Sequence, residues 1–119
     1  MKKTLVLGAS DDPSRYSYLA IHRLRKEGHP VVAIGRKETK VADVNVEKQT
    51  IPCNDIDTVT IYLNPIHQKD YYNYILSLHP KRIIFNPGTE NRELEDLARE
   101  NGILALEACT LVMLSNSLY

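Results

Sequence analysis

The chain has 119 residues, its 15 Lys and Arg balanced by 15 Asp and Glu. That length gives one continuous core and excludes a separate substrate domain, and the charge balance excludes a general field toward nucleic acid or a membrane, so any anion site must be local. Cys53 and Cys109 are the only cysteines, the start is not signal-like, and no apolar run nears the roughly 20 residues a bilayer requires; a cytoplasmic module spanning residues 1–119, without disulfides, is expected.

Apolar runs recur at Leu5 to Leu7, Val31 to Ile34, Val59 to Leu63, Ile83 to Phe85 and Leu104 to Leu106. They are short and continuous rather than alternating, as for parallel strands covered on both faces. After the first run, Ser17, Ala20, Ile21 and Leu24 keep one helical face, with Arg23, Arg25 and Lys26 near the end and Gly28 and Pro30 as the stop. After the second run the chain is harder to read: Val41 to Val46 fits a small hairpin, and Gln49 to Pro52 a short edge strand that Pro52 blunts. Tyr71, Tyr74, Ile75 and Leu78 predict a helix before Pro80. Leu94, Leu97 and Ala98 predict another, capped by Asn91 and closed by Gly102. Alternating strands and helices with right-handed crossovers make a three-layer, doubly wound α/β domain whose sheet has about five mainly parallel strands.

Ligands of such sheets bind beyond the carboxyl ends of the strands. The groups that follow the five runs there are Gly8-Ala9-Ser10, Gly35-Arg36-Lys37, Asn64-Pro65, Asn86-Pro87-Gly88-Thr89 and Glu107-Ala108-Cys109. The first is a loop of small residues ahead of a helix, the layout in which free backbone N–H groups attract an anion; with Gly8 alone, the spacing falls short of G-x-G-x-x-G, and a plain tight turn has the same appearance. In the second, Arg36 and Lys37 stand where NAD-binding proteins usually carry an acid for the ribose diol. Two cations there suit a ribose-bound phosphate, the 3′-phosphate of coenzyme A or the 2′-phosphate of NADP, or else they are a solvated pair. No catalytic set emerges, since His22, His29, His67 and His79 are scattered, and neither cysteine has metal-ligand spacing to them. His29 and His79, each between a helix and a proline, suit capping or exposure. Cys109, on the rim, has a thiol that either meets a ligand's thiol or is buried and inert. Tyr18 and Tyr62 lie near the rim, where they suit packing on an adenine or a pantetheine arm.

Gly8-Ala9-Ser10, Pro13, Arg15, Ser17-Tyr18, Lys37, Pro65, Asn91 and Cys109 together resemble the small stand-alone bacterial CoA-binding proteins, whose Rossmann-like domain is similar to the nucleotide-binding domain of the succinyl-CoA synthetase alpha subunit. The most specific element is Ser10-x-x-Pro13-x-Arg15-x-Ser17-Tyr18. The resemblance implies that Gly8, Ala9, Ser10, Arg15 and Ser17 lie on the pyrophosphate side and that Lys37 meets the 3′-phosphate. Two departures stand out. Gly35-Arg36 precedes the lysine where the family often has Asn-Pro, and Thr110 to Leu114 is apolar where the family tends to a polar, basic tail. That apolar end is expected to pack on the sheet, or else to meet a second copy of the chain.

The expected function is noncatalytic binding of coenzyme A or an acyl-CoA, a small nucleotide ligand, with no metal, nucleic acid or membrane partner. The rivals are an NADP-binding, oxidoreductase-like protein and a protein-interaction module with a vestigial nucleotide site.

Overall fold

In a computed structural model that describes residues 1–119, each of the five apolar runs contributes a strand to one sheet. In chain order the strands are β1 (Thr4–Ala9), β2 (Val31–Gly35), β3 (Thr39–Val41), β4 (Val44–Glu47), β5 (Thr58–Ile61), β6 (Arg82–Phe85) and β7 (Leu104–Glu107). They lie side by side as β3-β4-β2-β1-β5-β6-β7. All neighbours are parallel except β3 and β4, the expected hairpin, whose two strands bring the total to seven rather than about five. The expected strand at Gln49 to Pro52 is absent, and the chain runs irregularly from there to β5.

Successive side chains of a strand point to opposite faces, so a continuous apolar run serves two layers at once. Leu5, Leu7, Val59, Ile61, Ile83 and Phe85 form one core, completed by Ile75, Leu94 and Ala98. Val6, Ala33 and Ile84 belong to the other, with Ile21, Leu24 and Leu114. Strand β7 departs from that pattern. It is an outer strand with only β6 beside it, which leaves Leu104 55% exposed.

The helices are α1 (Tyr16–Lys26), α2 (Pro65–Gln68), α3 (Tyr72–Ser77), α4 (Arg92–Glu100) and α5 (Thr110–Ser115). Helix α1 buries the four residues of the predicted face, Ser17, Ala20, Ile21 and Leu24. The region of Tyr71 to Leu78 differs from expectation. A 3₁₀ turn at Lys69–Tyr71 separates α2 from α3, and of the four predicted contact residues only Ile75 is fully buried. Asn91 caps α4 as expected, its side chain accepting from the Leu94 N–H. The apolar end folds as α5 with Thr110 and Leu114 buried, and Tyr119 then turns under the sheet, where the Arg82 guanidinium lies 4.4 Å from its ring and donates to its backbone oxygen. His79 is exposed with positive φ at the end of α3, and His29 Nδ1 accepts from the Lys2 N–H.

Two glycines set how the rim closes. Gly8 has a φ of +93° at a bulge in β1, and a Cβ there would stand 3.0 Å from the Tyr62 carbonyl carbon and 3.1 Å from the Leu63 nitrogen. At Gly35 a Cβ would lie 2.2 Å from the Ala9 carbonyl oxygen, with backbone on that side and no flexible side chain to yield. Gly35→Ala is therefore expected to destabilise the fold by about 3 kcal/mol, at the upper end of overpacking costs, in urea unfolding. Gly102→Ala, with a φ of +72° in open space, should cost only about 1 kcal/mol.

Candidate functional site

The segment Ser10 to Arg15 is wound around Asp12. The Asp12 N–H donates to Ser10 Oγ at 3.1 Å, the Asp12 Oδ1 accepts from both the N–H and the hydroxyl of Ser14 at 2.9 and 2.8 Å, and the Arg15 N–H donates to the Asp12 carbonyl. An aspartate that bonds the backbone two residues on makes a compact turn. This turn delivers the chain into α1 with Arg15 as an uncapped N-cap residue and no acid in the first turn. The N–H groups of Tyr16, Ser17 and Tyr18 find no acceptor in the chain. Aligned donors at the positive end of an 11-residue helix favour an anion. Ser17 is largely buried, while Arg15 is exposed, 3.9 Å from Asp12.

Because Ala9 pairs with Gly35, the residues after β2 arrive beside this loop. Lys37 Nζ lies 3.2 Å from Asp11 Oδ2, and the same oxygen accepts from the Thr39 hydroxyl at 2.8 Å. Arg36 is exposed and makes no ion pair or side-chain hydrogen bond. The Thr39 hydroxyl and Lys37 hold the Asp11 carboxyl below its ordinary range, and the Ser14 N–H and hydroxyl do the same for Asp12. Both acids escaped the sequence reading, although Asp12-x-Ser14 carries the spacing of such a turn.

The other half of the rim is built from buried amides. Asn64 caps α2 by accepting from the His67 N–H, and Pro65 occupies its first turn. Gln68 is fully buried. Its amide group donates to the Leu63 and Thr89 carbonyls, each at 2.8 Å, and its oxygen accepts from Asn91 Nδ2. Asn86 donates to Thr60 Oγ1 and the Ile61 carbonyl and accepts from the Thr110 N–H, binding β5, β6 and α5 together. Sequence reading placed Asn86 on the rim and missed Gln68, which composition marks only as one more polar residue.

Cys109 is half-buried as the N-cap residue of α5. The nearby Tyr62 hydroxyl is buried without a hydrogen-bond partner, and burial pushes the phenol far above its ordinary range. Tyr18, half-buried, packs its ring 4.6 Å from that of His22. A cleft of about 300 Å³ opens on this side between Pro65, Ile66, Tyr72 and Asn91. A larger cleft, about 410 Å³, lies around Arg25, Val31, Asp43 and Ile51 along β2 and β4. No helix is long and apolar enough to cross a membrane.

A doubly wound, mainly parallel sheet with helices packed on it defines a Rossmann-like α/β class of protein. Residues 2–115 match the CoA binding domain, and the chain belongs to that family. A crystal structure of an uncharacterized protein is similar at 51% identity, with a TM-score of 0.97, over 100% of this chain and 98% of the other. A hypothetical protein from Pyrococcus horikoshii OT3 shares the fold at 24% identity and a TM-score of 0.88, over 99% and 84% of the two chains. A Thermus thermophilus protein does so at 22% identity and a TM-score of 0.83, over 99% and 90%. None of the curated proteins matches the chain.

The two loop carboxylates carry a pH dependence. Each titrates lower in the folded chain than in the unfolded one, so its stabilisation is complete above the ordinary carboxylate pKa and disappears as pH falls through the folded value. Urea unfolding of wild type and the Asp11→Asn, Asp12→Asn double variant should show wild type more stable at neutral pH, with the gap closing below about pH 4.

Proposed function

We propose that the chain binds coenzyme A, free or acylated, without catalysing a reaction on it. The diphosphate sits against Gly8, Ala9, Ser10 and Arg15 and the N–H groups of Ser17 and Tyr18, and the nucleotide phosphate sits by Gly35, Arg36 and Lys37. Asn64 and Pro65 border the path of the pantetheine arm, and Cys109 faces its thiol end. The observation that carries this reading is the set of unpaired N–H groups at the start of α1 beside the unpaired Arg36, in a chain whose family is the CoA binding domain. Oriented donors and a nearby guanidinium are what a diphosphate and a phosphomonoester require. The two free cysteines suit a reducing, cytoplasmic setting.

Thermal-shift assays with CoA, acetyl-CoA, NADP and ATP test it. A ligand at about 100 times its dissociation constant adds about 2.7 kcal/mol to stability, and CoA and acetyl-CoA should give the largest rise in Tm. A larger response to NADP would favour the oxidoreductase-like alternative, and no response to any of the four would favour an interaction module. The double variant Arg36→Ala, Lys37→Ala should lose about tenfold or more in affinity for CoA, the worth of a charge-assisted contact, and far less for dephospho-CoA. Equal loss for both would remove the phosphate role of the pair.

A further inference from the structure

Arg36 and Lys37 are adjacent in sequence yet differ in what surrounds them. Arg36 is free, whereas Lys37 is already engaged, with Nζ 3.2 Å from Asp11 Oδ2. Asp11 does not depend on that contact for its place, because the same oxygen accepts from the Thr39 hydroxyl at 2.8 Å, which ties the β1 loop to the β3–β4 hairpin. The lysine side chain is 69% exposed and that of the aspartate 35%, so the ammonium has open space to swing away while the carboxylate stays. Residue 11 belongs to the loop before α1, so its charge lies on the same rim as any anion seated there.

We propose that Asp11 is a built-in competitor for Lys37, which weakens the site's hold on a ribose-bound phosphate and sets how sharply coenzyme A is distinguished from its dephosphorylated form. The inference rests on the reading above, in which Lys37 meets that phosphate. A phosphomonoester carries close to two negative charges at neutral pH, against one on the carboxylate, so it can displace Asp11 as the partner of Lys37. Two effects then act in the same direction. The ion pair must be given up, and the carboxylate, still held by Thr39, repels the incoming phosphate. Asp11 is ionised at neutral pH, since Thr39 and Lys37 hold its carboxyl below the ordinary range.

Titration calorimetry with CoA and dephospho-CoA on wild type, Asp11→Asn and Lys37→Ala tests this, the readout being the ratio of the two dissociation constants. Asn keeps an oxygen for the Thr39 hydroxyl and removes the charge. Asp11→Asn should raise the preference for CoA about threefold to fivefold, the upper part of what an exposed ion pair is worth, and Asp11→Ser should raise it in the same direction. Lys37→Ala should bring the preference down, and Asp11→Asn added to Lys37→Ala should restore only the part that relieved repulsion supplies, a smaller gain than Asp11→Asn gives in wild type. If Lys37→Ala lowers the preference while Asp11→Asn leaves it unchanged or lowers it, Asp11 is a positioning residue for the lysine and the competitor role is overturned. If Lys37→Ala leaves the preference unchanged, the phosphate reading of Lys37 fails, and the competitor role with it.

Discussion

The end of β1 is pressed between two neighbours, and the rest of the rim depends on how closely they approach. On one side Gly8 lies against the backbone of Tyr62 and Leu63, and on the other the Ala9 carbonyl oxygen occupies the space where a side chain at residue 35 would begin. A bulge at Gly8 changes the direction of the chain at that point, as bulges do when they terminate pairing. The consequence is spatial. The loop that opens α1, the cations after β2 and the residues after β5 converge on one short stretch of sheet edge, although they come from three separate parts of the chain.

Within that convergence the charges are arranged with restraint. Asp12 is spent on the turn and Asp11 on Lys37 and Thr39, so the only cation without a partner among the loop residues is Arg36. The electrostatic invitation to an anion comes less from net charge than from backbone N–H groups fixed in direction by the turn. Such donors are oriented before any ligand arrives, which reduces the ordering cost of binding.

The fold was legible wherever a residue's partner lay within one element. The face of α1, the Asn91 cap and the five apolar runs were visible because helical and strand periodicity repeat a local rule. The edge exposure of β7 was not, because exposure depends on whether another strand lies beyond it. The breaks between α2, the 3₁₀ turn and α3 were hidden for a related reason: tyrosines at helical spacing keep the same pattern whether or not the helix is continuous. At the site, Gly8 to Ser10 and the two cations stood out by residue type. Asp11 and Gln68 did not, since their roles consist of contacts with Thr39, Thr89 and Asn91, residues that are distant in sequence.

The buried amides leave the two halves of the rim mechanically unequal. Behind β5, β6 and β7, Gln68 and Asn86 join loops through fully satisfied bonds in the interior, where breaking one leaves a polar group dry. Behind β1 and β2 the cross-links are the Lys37–Asp11 ion pair and the Thr39 hydroxyl contact to the same carboxylate, both nearer the surface. The rim thus has one side cross-linked from the interior and the other cross-linked nearer the surface. A substitution at Gln68 or Asn86 therefore costs the fold more than one at Asp11 or Lys37, which leaves the Ser10–Thr39 side as the one whose charges can be varied with the scaffold intact.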